Sequence, residues 1–102
     1  MDPVRLRGVL TAAELRAALT RVERDATALL IDATEMTDYE RDAREAFVEW
    51  SRSRPSIKRI AIVVNNPLWR MVISAMGIAS RRDMRAFDNA ESAMKWLDDR
   101  AR

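Results

Sequence analysis

The stretch ALLIDATEMTDYERDAREAFVEW, Ala28 to Trp50, changes its period part-way along, and that change decides the fold. ALLID is a continuous apolar run, the pattern of a strand covered on both faces. Further on, Tyr39, Ala43, Ala46, Phe47 and Trp50 recur at i, i+4, i+7, i+8 and i+11, which lines one face of a helix. Between them lies DATEMTDYE, crowded with carboxylates and threonines. Thr37 and Glu40 have the Thr-x-x-Glu spacing of a capping box, so this segment reads as a short loop that starts the helix. Glu40 with Arg44, and Arg41 with Glu45, form i,i+4 pairs on the wet face, each contributing roughly 0.2–0.5 kcal/mol.

The same plan extends in both directions. Upstream, VRLRGV alternates Val4 and Leu6 against Arg5 and Arg7, the period-two mark of a half-exposed strand. Leu15, Ala18, Leu19 and Val22 then follow at helical spacing, opened by a Thr11–Glu14 capping box. Downstream, IKRIAIVV is the strongest strand, rich in β-branched residues. Asn66 and Pro67 suit the N-cap and first position of a third helix, and Gly77 suits its C-terminal cap. The last unit pairs a short strand, DMRAF, with a helix that buries Ala90, Ala93, Met94 and Leu97, capped by Asp88 and Glu91. Four capped strand–helix units predict an α/β domain with a mainly parallel sheet and flanking helices. The 102 residues suffice for one domain with one core. The connections are short and leave no room for an active-site lid.

Composition narrows the chemistry. Without histidine or cysteine there is no Ser-His-Asp triad, no thiolate and no histidine-bearing zinc site. A net charge of +2 is too small for strong non-specific nucleic-acid binding. Glycine-rich phosphate loops are absent. The longest apolar run, Ile60 to Val64, is too short for a bilayer, and the N-terminus has no apolar leader. Cytoplasmic residence is the expectation.

Taken together, VRLRG, TAAELRAAL and LLIDATEMT resemble the opening of a STAS domain, the fold of bacterial anti-sigma-factor antagonists. AFVEWSRSRPSIKRIAIVVNNPLW and MRAFDNAESAMKWL resemble its SpoIIAA-like branch, with closing elements Phe87, Ala93, Trp96 and Leu97. The resemblance covers nearly the whole chain. It implies four turns of a βα superhelix and a role in protein–protein regulation or, for some members, ligand sensing. A more distant relative, the CRAL-TRIO fold, encloses an apolar ligand. Regulatory STAS proteins carry a phosphorylatable serine at the start of the second helix. Counting from Asp32 places Glu40, Arg41 and Asp42 there, so neither the serine nor the neighbouring glycine is present.

Two regions are candidate sites. Thr37, Asp38, Glu40 and Arg41 form a candidate docking surface for a protein partner, with Thr37 foremost a cap and the acids complementing the helix dipole. In the third helix, apolar residues occupy most of the circumference, leaving only Arg70 and Ser74 polar. Leu68, Trp69, Met71, Val72, Ile73 and Met76 are therefore a candidate surface for self-association or for an apolar ligand. Asp32, Glu35, Asp38 and Glu40 lack the spacing of a calcium loop. Asn65 and Asn66 read as a strand stop and cap. Basic residues, including Arg52, Arg54, Lys58, Arg59, Arg81, Arg82, Arg85, Arg100 and Arg102, fall near strand N-termini. Acids Asp32, Glu35, Asp38, Asp88 and Glu91 fall at the other end, so a bipolar charge distribution is expected.

The functional expectation is a non-catalytic STAS-like regulatory module. It acts through a protein partner and as a homodimer, without catalytic, metal-binding or cofactor-binding residues, nucleic acid or a transmembrane segment. The alternative is a binding module for a small apolar or lipidic ligand held between the third helix and the sheet.

Overall fold

Strands and helices alternate from end to end: β1 (Val4–Leu10), α1 (Ala12–Leu19), β2 (Ala28–Tyr39), α2 (Arg41–Arg52), β3 (Arg59–Val63), α3 (Trp69–Ser80), β4 (Asp83–Phe87) and α4 (Ala90–Asp98). These come from a computed structural model that describes residues 2–99. The strands pair in parallel in the order β1-β2-β3-β4. With strands in sequential order, right-handed crossovers put α1, α2 and α3 on one face of the sheet. α4 follows the last strand and covers the other face.

Side-chain parity records these two layers. Leu29, Ile31, Ile60 and Ile62 face the main core with Leu15, Leu19, Phe47 and Ile73. Leu30, Ala61 and Val63 face α4, against Ala93 and Leu97. β3 is buried on both faces, which is why it reads as an unbroken apolar run. β1 lies at the edge of the sheet, beyond the reach of α4, so Leu6 is buried while Arg5 and Arg7 are exposed.

Several boundaries differ from expectation. DATEMTDY is not a loop but the second half of a 12-residue strand. Tyr39 therefore ends β2 rather than opening a helix, and α2 starts from Glu40 without any side-chain cap bond. Thr37 lies exposed within the strand and caps nothing. In contrast, the Thr11 hydroxyl accepts from the Glu14 amide at 3.1 Å, as its spacing predicts. Asn66 caps the turn before α3 rather than the helix itself: its Oδ1 accepts from the Leu68 amide at 3.0 Å. The last helix is capped by Asn89, whose Oδ1 accepts from the Ser92 amide, and not by Asp88. Within that helix Ala93 and Leu97 are buried, but Ala90 is exposed.

α3 runs past Gly77 and stops at Arg81, which adopts the left-handed conformation. The Arg82 amide donates to the Gly77 carbonyl and the Arg81 amide to that of Ile78, a Schellman closure. Gly77 instead permits close packing: a Cβ there would lie 3.2 Å from the Arg82 carbonyl oxygen and 3.4 Å from Met84 Cβ.

Candidate functional site

β2 has to accommodate more residues than its neighbour. Arg5 and Arg7 pair with Asp32 and Glu35, and Gly8 and Val9 with Met36 and Asp38. The register thus slips twice, with the extra residues on β2, as in β-bulges. Strict alternation after Ile31 and Ala33 would turn Glu35 and Thr37 toward the apolar core. The first slip turns Met36 inward instead, and the second restores Tyr39 to the inner face. Glu35 is left outside, 3.1 Å from Arg7. Gly8, at φ +60, lies beside the second slip, in a conformation that side chains other than glycine's disfavour.

Asp32 holds the first slip in place. Its Oδ1 accepts from the Thr34 hydroxyl at 2.6 Å and the Thr34 amide at 3.0 Å, and Arg5 lies 3.6 Å from the carboxylate. The Thr34 hydroxyl is the main cause of a lowered Asp32 pKa, supported by the Thr34 amide and Arg5 and opposed by burial. The Asn65 side chain donates to the Thr34 carbonyl at 2.6 Å, tying the end of β3 to the same bend.

These bends leave a gap between the carboxyl halves of the strands and helices α2 and α3. The cavity is about 70 Å³ and is lined by Leu6, Leu10, Leu15, Ile31, Ala33, Met36, Tyr39, Ala43, Arg44, Phe47, Ile62, Val64, Trp69, Val72, Ile73 and Met76. Tyr39 and Trp69 meet edge-to-face in its wall, with ring centroids 6.0 Å apart. Such pairs contribute about 0.5–1.5 kcal/mol beyond the area they bury.

The residues named on the third helix therefore divide into two sets. Trp69, Val72, Ile73 and Met76 line the cavity. Leu68 and Met71 face solvent, 72% and 77% exposed, and Ile78 joins them at 81%. With Ala75 they recur at 68, 71, 75 and 78, a single apolar seam along the outside of α3. The helix is apolar nearly all round: one side lines the cavity and the other is exposed.

Thr37, Asp38, Glu40 and Arg41 are all exposed where β2 meets α2. Asp38 accepts from the Tyr39 amide, and Arg41 pairs with Glu45 at 3.3 Å. Glu40 and Arg44, by contrast, form no ion pair among the described residues. The expected separation of charge is blunted, because Arg5, Arg7 and Arg70 stand against Asp32, Glu35 and Asp88. Arg59 keeps its place near a helix C-terminus and donates to the Trp96 and Asp99 carbonyls. Arg100 and Arg102 lie outside the described residues. Among the described residues no group of three carboxylates could hold a metal ion, and no helix is long and apolar enough to cross a membrane.

Spacing alone did not reveal Ala33, Met36, Tyr39, Arg44 and Phe47 as cavity residues. The available signal was the pair of apolar residues, Met36 and Tyr39, three apart within an acidic stretch, a spacing that fits neither strand nor loop.

Residues 3–98 match the family model described as SpoIIAA-like. The chain belongs to the SpoIIAA-like family. Among solved structures it is similar to an uncharacterised protein from Shewanella loihica PV-4, of the DUF3478 family, with a SpoIIAA-like fold. The TM-score is 0.68 at 20% identity, over 91% of this chain and 80% of that one. That likeness establishes the SpoIIAA-like fold and nothing finer. No curated protein matches.

Proposed function

We propose that this SpoIIAA-like protein is a non-catalytic regulatory module of the cytoplasm that works through protein contacts, beginning with contact to a second copy of itself. The observation that carries this is the exposed seam of Leu68, Met71 and Ile78 on α3. Each such side chain gains about 1.5–3 kcal/mol on full burial. Two-fold pairing is the commonest way for identical chains to cover such a patch. Thr37, Asp38, Glu40 and Arg41 would then remain free on a separate surface for a different partner. Charge in place of a phosphorylatable serine at the start of α2 fits a contact not governed by a kinase.

The test is molecular mass by light scattering at high concentration. The wild type is expected to be a dimer, and Met71→Glu a folded monomer. Trp69→Glu should unfold instead, because Trp69 packs on Tyr39 in the cavity wall. A monomeric wild type would refute self-association.

The cavity supports a second role, the binding of a small apolar ligand between α3 and the sheet. Its lining is almost entirely apolar and offers a water few of the two to four polar partners it needs, which favours an apolar occupant.

A further inference from the structure

One wall residue does not match the rest of the cavity. Among the described residues Arg44 is the only charged one that lines it, yet Arg44 is exposed. Such a residue lays its aliphatic stem along apolar surface and keeps its guanidinium in water. The nearby Arg41 is occupied by Glu45. Arg44 has no acid within ion-pairing distance among the described residues. An apolar cavity with the stem of an exposed arginine in its wall is complementary to a molecule with an apolar tail and an anionic head.

We infer that the cavity takes the tail of a carboxylate-headed acyl chain, with the carboxylate paired to Arg44. This rests on the ligand-binding role of the cavity and adds the chemistry of the head group. At about 70 Å³ the space is roughly half the ~150 Å³ of a dry cavity that accepts benzene. It therefore suits a few carbons of a chain, not a ring system. Met36 and Met76 both line it, and their unbranched side chains can shift to admit a longer tail. A guanidinium matches a carboxylate by two parallel N–H···O bonds and repels an ammonium head.

Calorimetric titration of the full chain with octanoate, 1-octanol and octylammonium tests this. Octanoate is expected to bind about two- to fivefold more tightly than the alcohol, the range for an exposed charge pair. Octylammonium should be the weakest of the three. Arg44→Gln should remove the advantage of octanoate and leave 1-octanol unchanged. Ala33→Leu, which fills the cavity, should abolish both; Ile73→Phe serves the same purpose if Ala33→Leu melts early. If octanoate and octanol bind alike, or if Arg44→Gln spares octanoate, the head-group assignment is wrong while the apolar site stands. If no probe binds, both are wrong.

Discussion

Thr11 and Thr37 present the same Thr-x-x-Glu pattern and do different things. Thr11 stands before a helix, and its hydroxyl takes up a free amide of the first turn. Thr37 stands in β2 at the second slip, between the paired Met36 and Asp38, and its side chain is exposed rather than placed before a helix. Thr11→Ala should therefore cost about 1 kcal/mol of unfolding free energy. Thr37→Ala should change it by less than about 0.5 kcal/mol, as for an ordinary surface position. Urea denaturation of the two variants checks this; equal losses would restore a capping role to Thr37. Asp32 offers a pH-dependent test. Its folded pKa lies below the ordinary 3.8, so its contribution is present above that value and is lost as pH falls through the lower folded one. The stability advantage of wild type over Asp32→Asn should be constant above about pH 5 and should close in acid. An advantage that persists unchanged in acid would show that the Thr34 and Arg5 contacts do not depend on the carboxylate charge.

Elements in this chain are shaped by neighbours as much as by their own sequence. β2 bends because β1 offers it fewer partners, and the bends move Glu35 out of the apolar gap and Met36 into it. α3 ignores Gly77 as a stop because Ser80, one turn further on, still has a buried place. The helix closes instead on Arg81, at φ 60 and ψ 37. A side chain there costs about 1–2 kcal/mol relative to glycine, partly offset by the greater freedom of unfolded glycine. Arg81→Gly should thus stabilise the protein by about 0.5–1 kcal/mol. Thermal melting is the measurement, and a lower Tm would mean that the arginine side chain stabilises the native state by some other contact.

For the whole molecule, three helices on one face and one on the other leave the outside of α3 incompletely buried. Among the described residues nothing covers most of Leu68, Met71 and Ile78. Ile78→Glu should therefore weaken the proposed dimer as Met71→Glu is expected to, since both lie on the same seam. Met76→Glu, five residues on from Met71 and on the cavity side of the helix, should lower stability before it affects assembly. Equal effects of Met71 and Met76 on mass, with stability unchanged, would argue against an interface confined to the outer seam. The cavity and the seam lie on opposite sides of one helix, so a ligand that shifts α3 would also shift the surface offered to a partner.

Local sequence was enough for the number, order and type of the elements, because apolar residues at periods of two and 3.6 can be buried in few ways. It was also enough for the continuous burial of β3, for the alternation of the edge strand β1 and for the resemblance to the SpoIIAA-like family. It could not show where β2 ends, because a strand with two slips in register has no constant period to detect. Nor could it divide α3, whose apolar circumference serves a cavity wall and an outer seam at once. Only packing against Tyr39 fixes Trp69 inward and so leaves Met71 outside. The cavity itself is a product of tertiary structure, assembled from three strands and three helices whose side chains nearly, but not fully, fill the space between them.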